Sequence, residues 1–429
     1  MPYIERQMGT AVALNNQMVT SEGSFEQGLS KNALRRLIIS FILHEQKKRQ
    51  RQGLIRSDQA LSARLAGHDA DAMDDIEINE DMLGFDSLGI LELILAMNRF
   101  FDLARSGVED YLLINRRIGS WADLLSQHRM LVGPDWTFGF TTSGSTGNPS
   151  LVSHTAHDLW EEMEAQIAGP LSHVESPGRI LLLVPPHHIY GFLFGCVLPD
   201  LLGMDVVDLY SAGPATPFRL AQEGDVIVGT PFNWDLLRRT DLKFAEGVYG
   251  VTSAGPSTPE TWQCVQTNNL ARLTEIYGST ETGGVGSRSC YGHPFDLLPH
   301  LTGTDGTITR RSATKPLVLQ DKLDWSDARS FQVVGRLDTV VQVAGVNVST
   351  TYVREHILGI EGVADVAVRM GDDRLRAFIV PEAGVDNGTL QDKIQADIQT
   401  ALDPPARPHS LTFGPQLPRN DMGKTEDWM

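Results

Sequence analysis

Residues 139–150 read Gly-Phe-Thr-Thr-Ser-Gly-Ser-Thr-Gly-Asn-Pro-Ser, and this stretch decides how the rest of the chain is read. Its glycines let backbone approach a ligand closely. The N–H groups and hydroxyls of Thr142, Ser143, Gly144, Ser145, Thr146 and Gly147 can wrap the oxygens of a phosphate chain. No Gly-Lys-Ser/Thr closes the loop, so it is not a Walker A loop. The loop also stands near a change of pattern. After about Gln127, short apolar runs (Ile180–Val184, Val206–Tyr210, Val226–Val228, Val248–Ser253, Leu273–Tyr277) alternate with helical segments such as Leu159–Ile167 and Asp235–Leu242. That alternation predicts α/β layering with functional loops at strand ends.

Before the change the chain reads as helices. Leu34, Leu37, Ile38, Phe41 and Ile42 recur at helical spacing. An acidic stretch follows (Asp69 to Asp81), then Gly84-Phe85-Asp86-Ser87-Leu88, which opens a second apolar helix through Leu91, Leu95 and Phe100. Short helices at Val108–Leu113 and Trp121–Leu125 complete a small all-α unit, while residues 1–30 read as a flexible lead-in. Beyond Asp338 the pattern is compact α+β, with strands near Val363–Val368 and Leu375–Val380 and a helix at Leu390–Ala401.

With 429 residues the chain has room for several domains. A net charge of -18 excludes nucleic acid as a natural partner, because a phosphate backbone would be repelled. Cys196, Cys264 and Cys290 show no metal-ligand spacing and suit a reducing compartment. The lead-in has no apolar core of a signal peptide. The most apolar stretch, Ile180 to Val207, is interrupted by Pro185-Pro186-His187-His188 and Pro199-Asp200, so it reads as two buried elements and not a membrane span. A cytoplasmic protein is expected.

Further motifs follow the glycine-rich loop in order: Pro185-Pro-His-His188-Ile-Tyr-Gly191, Ser253-Ala254-Gly255-Pro256, Tyr277-Gly278-Ser279-Thr280-Glu281, Asp321, Gly335-Arg336-Leu337-Asp338, and Pro418-Arg-Asn-Asp-Met-Gly-Lys424. Together they resemble the adenylate-forming superfamily of acyl-CoA synthetases, aryl-acid ligases and peptide-synthetase adenylation domains. The resemblance implies ATP and Mg²⁺ as cofactors and a small carboxylic acid as substrate. It places His188 beside the substrate carboxylate and the Ala254-Gly255 backbone along the adenine. It further implies that Tyr277 stacks on adenine beside Gly278, that Thr280 contacts the α-phosphate and that Glu281 helps hold Mg²⁺. Asp321 and Arg336 would take the ribose hydroxyls, and Asp338 would be the hinge of a mobile lid. Lys424 would bridge the carboxylate and the α-phosphate, an electrostatic role. Two positions depart from the pattern: Ser150 stands where the phosphate loop usually ends in lysine, and Gln342 where a lysine usually follows the hinge.

Residues 31–127 resemble an acyl carrier protein, on Gly84-Phe85-Asp86-Ser87-Leu88, the helix after it and Ile118-Gly-Ser-Trp-Ala-Asp-Leu124. That resemblance implies a 4′-phosphopantetheine on Ser87, a phosphopantetheinyl transferase and downstream acyl-accepting enzymes as partners, and a partner subunit or protomer supplying what a shortened core lacks. The plainer reading is that Asp86-Ser87 caps a helix. The expected architecture is multidomain: a lead-in (1–30), a four-helix carrier bundle (31–127), an α/β adenylate-forming core shortened at its N-terminal side (128–338) and a small α+β lid (339–429). The expected activity is ATP-dependent conversion of an aromatic or medium-chain acid to an acyl-adenylate, then transfer to the protein's own carrier thiol. The alternatives are free CoA as acceptor, or a carrier fused to a degenerate adenylation-like module.

Overall fold

The computed structural model of the chain describes residues 28–51, 73–141, 150–174, 178–210, 212–304, 307–313, 315–336, 340–343, 346–371 and 374–428. It divides into two compact units, the first running to Pro316 and the second from Leu317 onward.

The first unit opens with helices α1 (Lys31–Arg51), α2 (Glu80–Leu83), α3 (Ser87–Phe101), α4 (Glu109–Ile114) and α5 (Ile118–Val132). The hairpin β1 (Thr137–Thr141) and β2 (Leu151–Thr155) follows, pairing Thr141 with Leu151 across the glycine-rich loop. Then come α6 (Ala156–Ala168), β3 (Ile180–Leu182), α7 (Ile189–Phe192), a π-helical turn at Leu193–Val197, and α8 (Leu198–Leu202). The alternation continues through β4 (Val206–Asp208), α9 (Thr216–Leu220), β5 (Val226–Gly229), α10 (Pro231–Arg238), β6 (Tyr249–Thr252), α11 (Pro259–Thr267) and β7 (Arg272–Ser279). It ends in β8 (Gly283–Arg288), β9 (Phe295–Leu297), β10 (Leu301–Thr304) and β11 (Thr307–Arg310).

The main sheet runs β9-β8-β7-β6-β5-β3-β4. From β4 to β7 its neighbours are parallel, and β8 and β9 add antiparallel. Strands β3 and β5 are almost continuously apolar and buried, as a parallel sheet covered on both faces demands. From β3 the chain moves to β4 on one side and to β5 on the other, so the strand order reverses there. A crevice at the carboxyl ends of β3 and β5 is the expected ligand position.

The second unit has hairpins β12 (Asp321–Trp325) with β13 (Ser330–Arg336) and β14 (Val340–Val343) with β15 (Val346–Ser349). After them come α12 (Thr350–Leu358), β16 (Val363–Met370), β17 (Leu375–Pro381), α13 (Asn387–Ala401) and β18 (Ser410–Phe413). Its core is its own: Val353, Ile357, Val366, Ile379, Leu390 and Ile394 close on one another between helices and sheet. The small α+β unit was expected, but it begins before β12, earlier than residue 339.

The helical segment departs further from expectation, because 31–127 does not stand apart as a carrier bundle. Phe41 of α1 meets Phe100 of α3 at 5.2 Å, and Phe100 meets Phe140 of β1 at 5.2 Å and Phe192 of α7 at 5.8 Å. Phe138 and Phe192 lie 4.6 Å apart within the same cluster. These helices bury their apolar faces against the α/β layers as well as one another, so a free bundle would expose that surface to water.

Candidate functional site

Tyr277-Gly278-Ser279-Thr280-Glu281 lies at the tip of the β7–β8 hairpin, where Ser279 pairs with Gly283. A β-carbon on Gly278 would overlap the Gly283 carbonyl, and Gly283 takes a left-handed φ of 70°. Only glycines fit both positions of so tight a turn. Ser279 and Thr282 exchange hydrogen bonds at 3.1–3.3 Å, closing the loop on itself. The outcome is a rigid tip holding Thr280 and Glu281 half-buried, with the Tyr277 ring 5.5 Å from Phe295.

The tip is braced from behind by residues that the motif does not contain. Glu162 of α6 is fully buried and accepts from Gly284 N at 2.7 Å and Gln166 Nε2 at 3.0 Å. Burial pushes the Glu162 carboxyl up to about 7 despite Arg310 nearby. Arg310 donates to the carbonyls of Thr282 (3.1 Å) and Asp158 (3.2 Å). Burial also lowers the His154 pKa, favouring the neutral ring, and its Nε2 lies 2.6 Å from the Thr280 carbonyl. A carbonyl only accepts, so Nε2 carries the proton. Glu162 and Gln166 stand four residues apart on a helix, a spacing that reads as a solvated pair; the sequence held no signal that they face inward.

Ser253-Ala254-Gly255-Pro256 follows β6. Ala254 holds a left-handed φ of 72°, a strained backbone for a residue with a β-carbon. The loop is pinned by Ser253 Oγ donating to Ile276 O at 2.8 Å and by Ser257 Oγ on Glu275 at 2.8 Å. Arg288 forms an ion pair with the same Glu275 carboxylate at 2.6 Å. Gly255 and Pro256 are exposed, so a flat ligand can reach their backbone.

Pro185-Pro-His-His-Ile-Tyr-Gly191 follows β3. The Tyr190 hydroxyl lies 3.1 Å from Gly229 O and 3.0 Å from Val251 O, within donating reach of the ends of β5 and β6. A β-carbon on Gly191 would overlap the Pro185 carbonyl, which accounts for glycine there. His188, half-buried, precedes α7 at the reversal of strand order. The motif's tyrosine and glycine thus fix the turn on which His188 stands. His187 is buried beside it and hydrogen-bonds Ser40 of α1 at 2.6 Å, a contact that the motif does not announce.

In the second unit Asp321 and Arg336 are register partners across β12 and β13, so residues fifteen apart in sequence stand side by side. Lys424, exposed, sits on a turn built by Asn420: Asn420 Oδ1 accepts from Met422 N and Lys424 N, each at 3.0 Å, and Gly423 takes a φ of 73°. Arg419 Nη1 donates to Gly423 O at 2.8 Å. The motif Pro-Arg-x-x-x-Gly-Lys is therefore a self-supporting turn that presents its lysine.

Thr142, Ser143, Gly144, Ser145, Thr146, Gly147 and Asp338 lie outside the described residues. Ser87 keeps the exposed first-turn place expected of it. Its neighbour Asp86 caps α3, accepting from Gly89 N at 2.7 Å, and is paired with Arg49 at 2.8 Å. The structure shows the expected carrier stretch as a capped helix inside the first unit. Among the described residues no helix is long and apolar enough to cross a membrane.

The AMP-binding enzyme family model matches residues 120–323. The chain is 40% identical over 415 residues to the 4-coumarate–CoA ligase of Cereibacter sphaeroides, covering 96% of this chain and 100% of that protein. It is 39% identical to the 4-coumarate–CoA ligase of Rhodobacter capsulatus, over 92% of this chain and 100% of that one. These matches take in the N-terminal helices together with the α/β core, and the relatives share the compact length. Among solved structures, ATP-bound MatB from Rhodopseudomonas palustris superposes with a TM-score of 0.52 at 17% identity, covering 73% of this chain and 71% of that one. That likeness is one of fold. The chain belongs to the AMP-binding, adenylate-forming enzyme family and is an AMP-forming acid–thiol ligase.

Proposed function

We propose that the protein joins a hydroxycinnamate-type aromatic acid, 4-coumarate being the leading candidate, to coenzyme A. The carboxylate attacks the α-phosphorus of ATP, releasing pyrophosphate and leaving an aryl-acyl-adenylate. The CoA thiol then displaces AMP to give the thioester. The 40% and 39% identity, over nearly the full length, to two proteins named 4-coumarate–CoA ligase carries this reading. The packing of residues 31–127 into the first unit favours CoA over an arm on Ser87, because a carrier must leave its docking site to deliver its cargo.

The residues present fit the chemistry. The hairpin tip offers one half-buried carboxylate, Glu281, beside the Thr280 hydroxyl. Mg²⁺ takes one or two protein carboxylates and fills its shell with phosphate oxygens and water, so a single glutamate suits it. When bound it would neutralise charge on the phosphates. The Ala254-Gly255 backbone and Tyr277 would bracket the adenine, Asp321 and Arg336 the ribose, and the 142–147 loop the phosphates. His188 would hold the acid's carboxylate, and Lys424 would offset charge on the pentavalent phosphorus.

The test is to supply MgATP and a panel of aryl and alkyl acids, with and without CoA, and to measure AMP and thioester. The reading expects AMP and 4-coumaroyl-CoA in equal amounts, with alkyl acids poor substrates. AMP release with no CoA thioester from any acid would refute it.

A further inference from the structure

We propose that helix α1 forms one wall of the acid site, and that Ser40 is a positioning residue that holds His187, and through it His188, against the substrate carboxylate. The inference rests on the ligase reading above for the identity of that carboxylate.

Helix α1 presents Arg36, Ser40, His44 and Lys47 at intervals of three and four, which puts all of them on one face. Each touches the α/β layers. Arg36 Nη1 donates to the Gly195 carbonyl at 2.5 Å, in the π-helical turn after α7. Ser40 Oγ shares the 2.6 Å hydrogen bond with His187 Nδ1. The His44 ring lies 4.7 Å from the His187 ring, edge to face. Lys47 Nζ bonds the Tyr210 hydroxyl and lies 3.8 Å from the centre of that ring.

His187 follows the carboxyl end of β3, and Tyr210 follows the carboxyl end of its parallel neighbour β4. The polar face of α1 therefore spans the strand ends on the β4 side of the reversal, bordering the crevice where His188 sits. The rings of His44, His187 and His188 form a row, with 4.7 Å and 4.5 Å between successive centres. The two outer rings are half-exposed, while the middle one is buried with only 8% of its surface accessible. Ser40, 2% exposed, fixes the middle ring and so sets the plane on which His188 packs. A polar stripe on a helix that otherwise buries leucine, isoleucine and phenylalanine is costly unless it meets partners. Here its partners are the residues at the crevice. An N-terminal helix would thus supply the acid-site wall that the shortened core otherwise lacks.

The experiment compares Ser40→Ala, Ser40→Thr and the native chain with 4-coumarate, MgATP and CoA. Two further readouts are the Kd for 4-coumarate by calorimetry and the melting temperature. For Ser40→Ala the expected result is a KM and Kd for the acid raised about tenfold, the factor a lost buried hydrogen bond produces. The KM for MgATP should stay within about twofold and the melting temperature near native, while Ser40→Thr, which keeps the hydroxyl, should restore most of the acid affinity. An unchanged acid Kd, or acid and MgATP constants rising together with a lower melting temperature, would overturn the proposal. A native chain that binds 4-coumarate but forms no AMP would refute the ligase reading alone, and the Kd comparison would still decide the wall.

Discussion

Two segments of this chain looked alike in sequence, each a small block flanking the α/β core, and the structure treats them differently. Residues 317–428 close a core of their own, where Ile357, Ile379 and Ile394 meet between two helices and a three-stranded sheet. The helices of 31–132 do not, since Phe41 and Phe100 share an aromatic cluster with Phe138, Phe140 and Phe192 of the α/β layers. An apolar helical stripe reports that a face is buried, never against what. The same pattern can therefore mark a face closed within its own unit or one shared with neighbouring layers.

The comparison can be broken most forcefully at Phe100. Phe100→Ala should cost about 3–5 kcal/mol, the range for emptying a buried aromatic site. Hydrogen exchange should show α1, α3 and the β1–β2 hairpin losing protection together, and loss confined to α1–α5 would mean a separable bundle. Ile394→Ala should cost about 2–5 kcal/mol and loosen 317–428 alone; a matching loss of protection in β3 and β5 would deny that unit its independence.

The buried brace behind the hairpin tip sharpens the contrast further. Glu162 titrates at about 7 when folded, against 4.5 for an ordinary glutamate. The folded state then binds the proton more tightly than the unfolded one. Its contribution is greatest below pH about 4.5 and is lost as pH rises through about 7, a fall of roughly 3 kcal/mol. Urea unfolding of the native chain across that window should show this loss, and Glu162→Gln should flatten it; identical slopes would remove the buried carboxylate from the account. The smallest effect is expected at Asn420. Asn420→Ala should loosen the turn under Lys424 by about 1 kcal/mol and slow pyrophosphate exchange roughly fivefold, with melting unchanged. An unaltered exchange rate would mean the lysine needs no support from its turn.

The turns that carry the motifs were legible because their backbone constraints are local. Gly278 and Gly191 stand where only glycine avoids a backbone clash, and Tyr190 carries the hydroxyl that ties its turn to two strands, so short motifs mark them. The parallel strands were legible for the same reason, being short apolar runs at regular spacing. Strand β8 was not: Gly-Gly-Val-Gly-Ser-Arg has little strand preference, and pairing with β7 and β9 overrides it. Long-range partners left no local trace either. Nothing near Ser40 announces His187, and nothing near Glu162 announces Gly284. Asp86-Ser87-Leu88 shows the opposite hazard, since a tripeptide suited to a carrier is equally suited to an ordinary helix cap, and the packing of α3 favours the cap.

The most direct measurement is thioester formation by the native chain and by Ser87→Ala, each supplied with MgATP, 4-coumarate and CoA after co-expression with a phosphopantetheinyl transferase, with intact mass recorded alongside. The account predicts 4-coumaroyl-CoA at equal rates from both proteins and no acyl group retained on either. An acyl-phosphopantetheine increment on the native chain that vanishes in Ser87→Ala, with no CoA thioester released, would contradict it.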